Sequence, residues 1–325
     1  MKAVLCKQYG PPETLVVEDV PSPSVSADSV LIEVKAAGIN FPDTLIIENK
    51  YQFKPPLPFI PGTEVAGIVK AVGDKVSHVK PGDEVMGFAF VGAYAEEIVV
   101  PGASCFPKPS TLSFEEAAAF TMIYGTSYYA LKQRGNLQSG ETLLVLGASG
   151  GVGMAAVELG KLMGATVIAA GSNLDKLAAC KEKGADHLVN YTDADWKDQV
   201  KKITGGGGAD VIYDAVGGDF TKTALRCINW GGRLLVIGFA CGEIPELPAN
   251  LTLLKSSSVV GVFWGASLAK EPKANMDNFQ QLFQWAMEGK IQPHVCASFP
   301  LEQVADGLNL LLQRKAVGKV VLTTS

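Results

Sequence analysis

The sequence is poor in the residues that build metal centres and disulfide frameworks. It has three histidines and six cysteines among 325 residues. No two cysteines are closely spaced, and the histidines at positions 78, 187 and 294 lie in separate segments. A metal centre needs several ligands close together, and a disulfide scaffold needs closely spaced cysteines. We therefore expect no metal ion, and cysteines that stay reduced, as in cytoplasmic proteins.

Long apolar runs and an excess of positive charge are missing as well. No stretch reaches 18 apolar residues, and the first residues lack the apolar segment of a signal peptide. The net charge is −5, and the lysines and arginines are scattered rather than clustered. Membrane insertion, secretion and a broad nucleic-acid surface are therefore not predicted. We expect a cytoplasmic protein that acts on a small molecule.

Hydrophobic residues make up 47% of the chain, which is enough for a large core divided over two domains. Up to about residue 124, short apolar runs separated by glycine and proline predict a barrel-like β domain. The predicted strands of this part cover 14–20, 30–37, 64–72, 83–88 and 94–99.

From about residue 125 strands and helices alternate, which predicts an α/β domain with a doubly wound parallel sheet. The predicted strands of this part lie near 142–147, 166–170, 187–189, 210–214, 232–237 and 258–263. After Trp264 the pattern reads helix, strand, helix, strand, in a segment too short to fold alone. We expect that segment to complete the first domain. Residues 1–124 and 265–325 then form one domain, and residues 125–264 form the other.

The most informative motif is Gly-Ala-Ser-Gly-Gly-Val-Gly at 147–153, which lies between an apolar strand pattern and a helix pattern. Ala148, Gly150 and Gly153 occupy the three small-residue positions of a dinucleotide fingerprint. Gly151 and Val152 begin the helix, whose free N–H groups would point at the phosphates. The alternative is a glycine turn without a ligand. A second apolar run follows at βαβ spacing, and this context favours a dinucleotide site.

The end of the second strand of this domain indicates which dinucleotide binds. Enzymes that use NAD place a carboxylate there, on the ribose 2′-hydroxyl, about 20 residues after the fingerprint. Here the position is Gly171, followed by Ser172, and no carboxylate is present to repel a 2′-phosphate. Lys176 could supply a positive charge, although a solvated helix lysine is the alternative. The pattern predicts NADPH.

Three apolar residues follow the ends of later strands, where a cofactor would cross the edge of the sheet. They are Val216, Phe239 and Phe263. We expect each of them to contact NADPH, and each could equally belong to the core.

Several motifs together carry a resemblance that covers essentially the whole chain. They are Ala-Ala-Gly-Ile-Asn-Phe-Pro-Asp at 36–43, Ile-Pro-Gly-Thr-Glu-Val-Ala-Gly at 60–67, Val-Lys-Pro-Gly-Asp-Glu-Val at 79–85, the glycine motif, and Gly-Lys-Val-Val-Leu at 318–322. With them the chain resembles the zinc-free quinone oxidoreductases, the zeta-crystallin-like group of the medium-chain dehydrogenase/reductase superfamily. The resemblance implies a GroES-like β-barrel substrate domain interrupted by a Rossmann domain that binds NADPH.

The resemblance also bears on zinc and on the reaction. Zinc-dependent relatives carry a cysteine near position 40 and a Gly-His-Glu triplet, where this chain has Asn40 and Gly-Thr-Glu at 62–64. Without a Lewis acid, we expect hydride transfer to a quinone or an α,β-unsaturated carbonyl rather than alcohol oxidation. An enoyl-thioester reductase is one alternative. A non-catalytic, crystallin-like NADPH-binding protein is another, and the negative net charge disfavours RNA binding by such a protein.

The resemblance places three neutral hydrogen-bond donors at the acceptor, namely Asn40, Tyr51 and Thr126. The alternatives are a loop-capping role for Asn40, a loop aromatic at Tyr51, and an N-cap at Thr126 for a helix that starts near Ser127. Asp43, in the same motif as Asn40, is expected to be structural.

Arg314 and Tyr191 match phosphate contacts of similar NADPH reductases. The alternative for Arg314 is a generally basic tail, because Lys315 and Lys319 lie beside it. The family also implies a homodimer in which the sixth Rossmann strands pair edge to edge. The apolar stretch 258–264 is the candidate for that strand, and a loop that covers it is the alternative.

Overall fold

A computed structural model of the chain describes residues 1–324. Its contacts divide the chain into two compact units. The first unit consists of Met1–Met122 and Trp285–Ser325, and the second of Ile123–Gln284. Ser325, the last residue of the expected first domain, lies outside the described residues. Within residues 1–324 no helix is both long and apolar enough to cross a membrane.

The boundary after residue 264 differs from the expected one. Segment 265–284, which the sequence analysis assigned to the first domain, is grouped with the second unit. The indole Nε1 of Trp264 donates to Asn275 Oδ1 over 3.1 Å, and Gln133 Nε2 donates to Asn278 Oδ1 over 2.9 Å. These contacts attach the segment to the second unit, and Gln133 and Asn278 are 145 positions apart, too far for a composition pattern to reveal their contact.

The helices and strands follow one another along the chain in this order: β1 Lys2–Leu5, β2 Val16–Asp19, β3 Ser29–Ile39, α1 Phe41–Ile47, β4 Glu64–Val72, β5 Glu84–Phe88, β6 Glu97–Pro101, β7 Cys105–Pro107, α2 Phe114–Ala118, α3 Thr121–Tyr129, β8 Thr142–Leu146, α4 Gly151–Leu162, β9 Thr166–Gly171, α5 Leu174–Glu182, β10 His187–Asn190, α6 Trp196–Ile203, β11 Ala209–Asp214, α7 Gly218–Leu225, β12 Ile228–Val236, α8 Ala249–Lys255, β13 Ser258–Gly261, α9 Trp264–Lys270, α10 Pro272–Met287, β14 Val295–Pro300, α11 Val304–Leu312 and β15 Lys319–Thr323.

The sheet of the first unit is built around the long strand β3. The strand order is β14-β15-β3-β4-β5-β7, and β6 also pairs with β3. The first half of β3 pairs with β6 and its second half with β15, while β4 runs along its other side. All neighbours are antiparallel except β14 and β15. The inward-facing apolar side chains of these strands form one core, which confirms the predicted GroES-like β domain.

The second unit contains a six-stranded sheet in the order β10-β9-β8-β11-β12-β13. Every neighbouring pair is parallel. Parallel strands are covered on both faces and therefore read as continuous apolar runs, and residues 143–146 of β8 are fully buried. The chain order reverses between β8 and β11, which is the switch point where doubly wound sheets bind ligands. The predicted Rossmann domain is confirmed.

The edge strand β13 is shorter than predicted. The sequence indicated a strand near 258–263 within an apolar stretch that runs to 264, but β13 ends at Gly261, and Trp264 starts α9 with only 4% of its surface exposed. Trp264 is therefore a buried residue of the core and not a residue of the edge strand. Val259, in contrast, is 40% exposed on β13.

Candidate functional site

The glycine motif forms the turn between β8 and α4. Gly147 has a φ of +70°, and the backbone N–H of Ala148 donates to the carbonyl oxygen of Ala170, in the neighbouring strand β9, over 3.1 Å. Gly150 precedes α4 in an extended conformation, and no side chain caps the helix. The first N–H groups of a helix have no acceptor within it. Residues 151–153 therefore present donors that fit an anionic phosphate.

The glycines of the turn differ in what a side chain would meet. A Cβ on Gly153 would lie 2.2 Å from the carbonyl oxygen of Gly147 and 2.8 Å from Ala148 Cα, so the packing of α4 on β8 requires glycine. A Cβ on Gly150 would meet only Gly147 O, at 3.4 Å. The fold itself does not need glycine at 150. In the dinucleotide fingerprint, a glycine at this position leaves room for the backbone to approach a pyrophosphate.

Thr126 lies in the middle of α3 and is half-buried. Its neighbour Ser127 donates from Oγ to the carbonyl oxygen of Val152 over 2.8 Å and shares a hydrogen bond of 2.9 Å with Tyr213. The structure thus brings α3, through Ser127, next to the first turn of α4. The alternative that Thr126 caps a helix starting near Ser127 is wrong, because α3 already begins at Thr121.

The three apolar candidates follow the carboxyl ends of β11, β12 and β13. A Cβ on Gly147 would lie 3.0 Å from Val216 Cγ2, and one on Gly217 would lie 3.1 Å from Phe239 Cδ1. Val216 and Phe239 therefore lie at the same sheet edge as the glycine motif. Phe263 precedes α9 and is 56% exposed.

The candidates for the 2′-phosphate come together at the end of β9. Gly171 is the last residue of β9, and the backbone N–H of Tyr191 donates to its carbonyl oxygen over 3.0 Å. Ser172 is exposed. The side chain of Asn173 caps α5 by accepting from the backbone N–H of Lys176 over 3.3 Å. Four predicted residues, 171, 172, 176 and 191, thus belong to one local arrangement.

Arg314 lies in the first unit, directly after α11 has ended. It is exposed, its φ is +54°, and its backbone N–H donates to the carbonyl oxygen of Leu311 over 2.9 Å. Its role at the phosphate remains a prediction from the resemblance.

A buried ion pair in the first unit was missed by the sequence analysis. Lys319 Nζ donates to Glu64 Oε1 over 2.9 Å, and their side chains are 3% and 1% exposed. The same ammonium donates to Asn40 Oδ1 over 2.6 Å. Glu64 also accepts from Asn40 Nδ2 over 2.9 Å and, through Oε2, from the backbone N–H of Met122 over 2.8 Å. Lys319 therefore lies in the core, and the alternative of a generally basic tail around Arg314 rests on Lys315 alone.

Asp43 lies one turn further along the same segment and is fully buried. Its Oδ2 accepts from the backbone N–H of Asn40 over 2.8 Å and from the hydroxyl of Tyr94 over 2.6 Å. Its Oδ1 is buried without a hydrogen-bond partner. Burial raises the pKa of this carboxyl to about 6, although the two donors and the charge of Lys319 oppose the shift. Asp43 holds the start of α1 and touches no surface.

Tyr51 follows α1 and is half-buried against the core of the first unit. Burial, and to a smaller extent the negative charge of Asp43, raises the pKa of its phenol above the usual value. The hydroxyl therefore stays protonated at neutral pH and can donate. The amide of Asn40 is already engaged at both its oxygen and its nitrogen, so Asn40 is placed to hold the ion pair in position.

The residues at the zinc positions of related enzymes do not fit zinc. Asn40 and Thr63 replace the cysteine and histidine ligands, and the ammonium of Lys319 already binds the carboxylate of Glu64. A positive charge at this place opposes a divalent cation. In the part of the chain that the structure describes, no three His, Cys, Asp or Glu side chains are grouped so that they could hold a metal ion.

The replacement Asp43→Asn tests the buried carboxyl. Because the pKa of Asp43 is higher in the folded than in the unfolded state, its stabilising contribution is complete below about pH 4 and is lost as the pH rises through about 6. The free energy of unfolding of the wild type minus that of the variant is expected to fall by about 3 kcal/mol between pH 3 and 7. Urea unfolding at several pH values measures this difference, and parallel pH profiles would contradict it.

Two protein-family models together match most of the chain. Residues 26–110 match the family described as alcohol dehydrogenase GroES-like domain, and residues 151–285 match the one described as zinc-binding dehydrogenase. The matched segments fall in the β unit and in the Rossmann unit respectively. The second description mentions zinc, but Asn40, Thr63 and the ion pair of Glu64 with Lys319 do not fit a zinc ion.

Individual relatives resemble the chain over its whole length. Quinone oxidoreductase-like protein 2 homolog of Nematostella vectensis is 44% identical, and the match covers 99% of this chain and 89% of that one. The structure of Escherichia coli quinone oxidoreductase complexed with NADPH is similar with a TM-score of 0.91, at 29% identity, over 99% of this chain and 100% of the other. CurK enoyl reductase is similar with a TM-score of 0.89, at 26% identity, over 100% and 99%.

The chain shares more than 30% of its residues with a relative over nearly its full length, and both family models match it. This similarity shows common family membership and not only a common fold. The missing zinc ligands distinguish the group within the superfamily. The chain belongs to the zinc-free quinone oxidoreductases of the medium-chain dehydrogenase/reductase superfamily.

Proposed function

We propose that the chain is an NADPH-dependent oxidoreductase that transfers hydride to a quinone or an α,β-unsaturated carbonyl without a metal. The observation that supports it best is the turn at 147–153. Its uncapped helix start and the open side of Gly150 fit a pyrophosphate, and the fold does not otherwise need this glycine. The E. coli relative, whose structure contains NADPH, has the same fold over its full length.

Bound NADPH supplies two electrons as hydride, and with one proton from solvent or a side chain a quinone becomes a hydroquinone. The protein has to orient the acceptor and stabilise the negative charge on its oxygen. We assign donation to the hydroxyls of Tyr51 and Thr126, both of which are protonated at neutral pH. Asn40 acts through Glu64 and Lys319, which it holds at the end of β3.

The cofactor should carry a 2′-phosphate, held by Ser172, Lys176, Tyr191 and Arg314. Removing the charge in Lys176→Ala is expected to raise the Kd of NADPH about tenfold and to leave the Kd of NADH unchanged, because only NADPH has a 2′-phosphate. Titration of cofactor fluorescence measures both constants. Lys181→Ala, on the same helix, is the control. An equal loss for both cofactors would contradict the assignment.

Steady-state rates with NADPH test the reaction itself. A quinone, an enone and an enoyl-CoA are compared at equal concentration with the purified protein. We expect the quinone and the enone to be reduced faster than the enoyl-CoA. A dominant rate with enoyl-CoA would favour the enoyl-thioester reductase that the similarity to CurK suggests. Tight NADPH binding without turnover of any electrophile would favour the non-catalytic alternative.

The chain is also proposed to form a homodimer through β13. This strand is the edge of the parallel sheet, Val259 is 40% exposed, and Leu253 and Leu254 on the preceding helix are 78% and 64% exposed. Such an edge favours pairing with another strand. Sedimentation is expected to give about twice the chain mass of 34.2 kDa, and Val259→Asp should shift it towards a single chain. A wild type that sediments as one chain at micromolar concentration would contradict the dimer.

A further inference from the structure

Asp214 is a buried carboxylate at the carboxyl end of β11, in the second unit. It is the last residue of this strand, and 2% of its surface is exposed. Its Oδ1 accepts from the backbone N–H groups of Val216 and Gly217 over 2.9 and 3.1 Å, and its Oδ2 accepts from the hydroxyl of Thr221. Burial raises the pKa of this carboxyl, although the three donors oppose the shift. Asp214 therefore ties the turn after β11 to helix α7.

The turn after β11 has a backbone that does not fix its own conformation. Gly217 and Gly218 have φ values of +83° and +60°, and glycine has the widest choice of backbone conformations in the absence of constraints. A carboxylate that accepts from the backbone two and three residues further on restricts such a turn. We infer that the side chain of Asp214 supplies the constraint that the two glycines lack.

The same turn also holds the segment that follows β12. We call segments 215–218 and 239–243 the paired loops. Backbone hydrogen bonds of 2.9–3.1 Å join them, from the N–H of Ala240 to Ala215 O, from that of Cys241 to Val216 O, and from that of Gly218 to Glu243 O. An anchor on the first loop therefore fixes the second one as well.

The paired loops lie on one side of the glycine motif, and the candidates for the 2′-phosphate lie on the other. In the order β10-β9-β8-β11-β12-β13, the glycine motif follows β8 and Gly171 ends β9. The paired loops follow β11 and β12, beyond β8. A dinucleotide lies across the carboxyl ends of the strands at the switch point. With its 2′-phosphate at β9 and its pyrophosphate at the glycine motif, NADPH would extend its nicotinamide half towards the paired loops.

We propose that Asp214 is a positioning residue, which fixes the paired loops in the conformation that receives the nicotinamide half of NADPH. The inference rests on the NADPH binding of the proposed function and requires no particular acceptor. A loop that is ordered before binding loses little conformational entropy when the cofactor binds, and this increases affinity. Since Asp214 is buried, it acts through the turn and not by contact with the cofactor.

A comparison of NADPH with a fragment of it tests this role. Adenosine 2′,5′-bisphosphate contains the adenosine and the 2′-phosphate but no nicotinamide. In Asp214→Ala we expect the Kd of NADPH to rise about tenfold and that of the fragment to change less than about twofold. Calorimetry measures both constants. An equal loss of affinity for both ligands would show a general loss of structure and would overturn the proposal.

Two further variants separate the hydrogen bonds of Asp214 from its charge and from general stability. Asp214→Asn keeps an oxygen for the two backbone N–H groups, so it should bind NADPH within about threefold of the wild type. If it binds as weakly as Asp214→Ala, the charge is what matters and the proposal fails. Asp210→Ala is the matched control, because Asp210 lies near the opposite end of β11 and accepts from the backbone N–H of Thr142 over 2.8 Å and from Asn229 over 2.7 Å. A selective loss of NADPH affinity in this control would overturn the proposal.

Thr221→Val keeps the shape of the side chain and removes one donor, which provides a test if Asp214→Ala does not fold. We expect its Kd for NADPH to rise about threefold while that for the fragment stays constant. Hydrogen exchange without cofactor is a second measurement, in which the amides of 215–218 should exchange about tenfold faster than in the wild type and those of 147–153 at the same rate. Unchanged exchange at 215–218 would overturn the proposal. A wild type that binds NADPH but reduces no acceptor would refute the proposed reaction, and this selective effect on NADPH would still support the role of Asp214.

Discussion

Gly150→Ala is expected to weaken NADPH binding about a hundredfold while the protein stays as stable as the wild type. The backbone at Gly150 has φ −82° and ψ 170°, a conformation that alanine adopts readily, and the new Cβ would meet only one atom, at 3.4 Å. The methyl group would instead fill the space that a pyrophosphate needs to reach the start of α4. Such a loss in affinity is about 2.7 kcal/mol.

Gly153→Ala is the matched control, three residues further along the same turn. Its Cβ would lie 2.2 Å from a backbone oxygen that cannot move without unfolding the turn, so we expect a loss of stability of about 1–3 kcal/mol. Cofactor titration and urea unfolding of both variants distinguish the two roles. An NADPH Kd of Gly150→Ala within twofold of the wild type would mean that the turn is structural and the dinucleotide binds elsewhere.

Lys319→Met is expected to destabilise the first unit by about 3–5 kcal/mol, because it leaves the carboxylate of Glu64 buried without a counter-charge. The remaining donors to Glu64, from Asn40 and the backbone of Met122, are neutral. They satisfy hydrogen bonds but do not compensate a full charge in a low dielectric. Urea unfolding measures the loss.

The double variant Glu64→Gln/Lys319→Met removes both charges together and should recover part of this loss. Lys315→Met removes a positive charge from an exposed position four residues earlier and is expected to change the stability by less than about 0.5 kcal/mol. If Lys319→Met and Lys315→Met lower the free energy of unfolding by the same amount, the buried ion pair does not stabilise the first unit and the prediction is wrong.

Structural features that are formed by one contiguous segment could be predicted from the sequence. The turn at 147–153 carries its strand, its glycines and its helix in one stretch, and the structure shows that turn between β8 and α4. The predicted strand 64–72 has the observed bounds, because its apolar run is delimited by turn residues. Six parallel strands followed from the alternation of apolar runs and helix patterns.

Features that depend on residues far apart in sequence could not be predicted. Glu64 and Lys319 are separated by 255 positions. Glu64 belongs to a motif in which the absence of a histidine was the notable feature, and Lys319 follows other basic residues. Nothing near either residue in the sequence indicated that the two form an ion pair. One signal was available, since Glu64 opens an apolar strand in which a lone carboxylate needs a partner. Phe53 and Phe90 likewise lie in two separate loops, and their ring centroids are 5.5 Å apart. Loop residues show no hydrophobic periodicity, so this contact could not be predicted.

The pairing of β15 with β3 has a consequence for how the chain is made. When the first 122 residues have left the ribosome, the second half of β3 has β4 on one side but lacks β15 on the other, and Glu64 lacks the ammonium of Lys319, until about 200 further residues have followed. The second unit, which is continuous in sequence, has all of its strands by then and can fold first. A nascent chain that stops before residue 319 thus contains the whole second unit, while the first unit lacks β15 and the counter-charge of Glu64, and such incompletely folded chains are open to proteolysis.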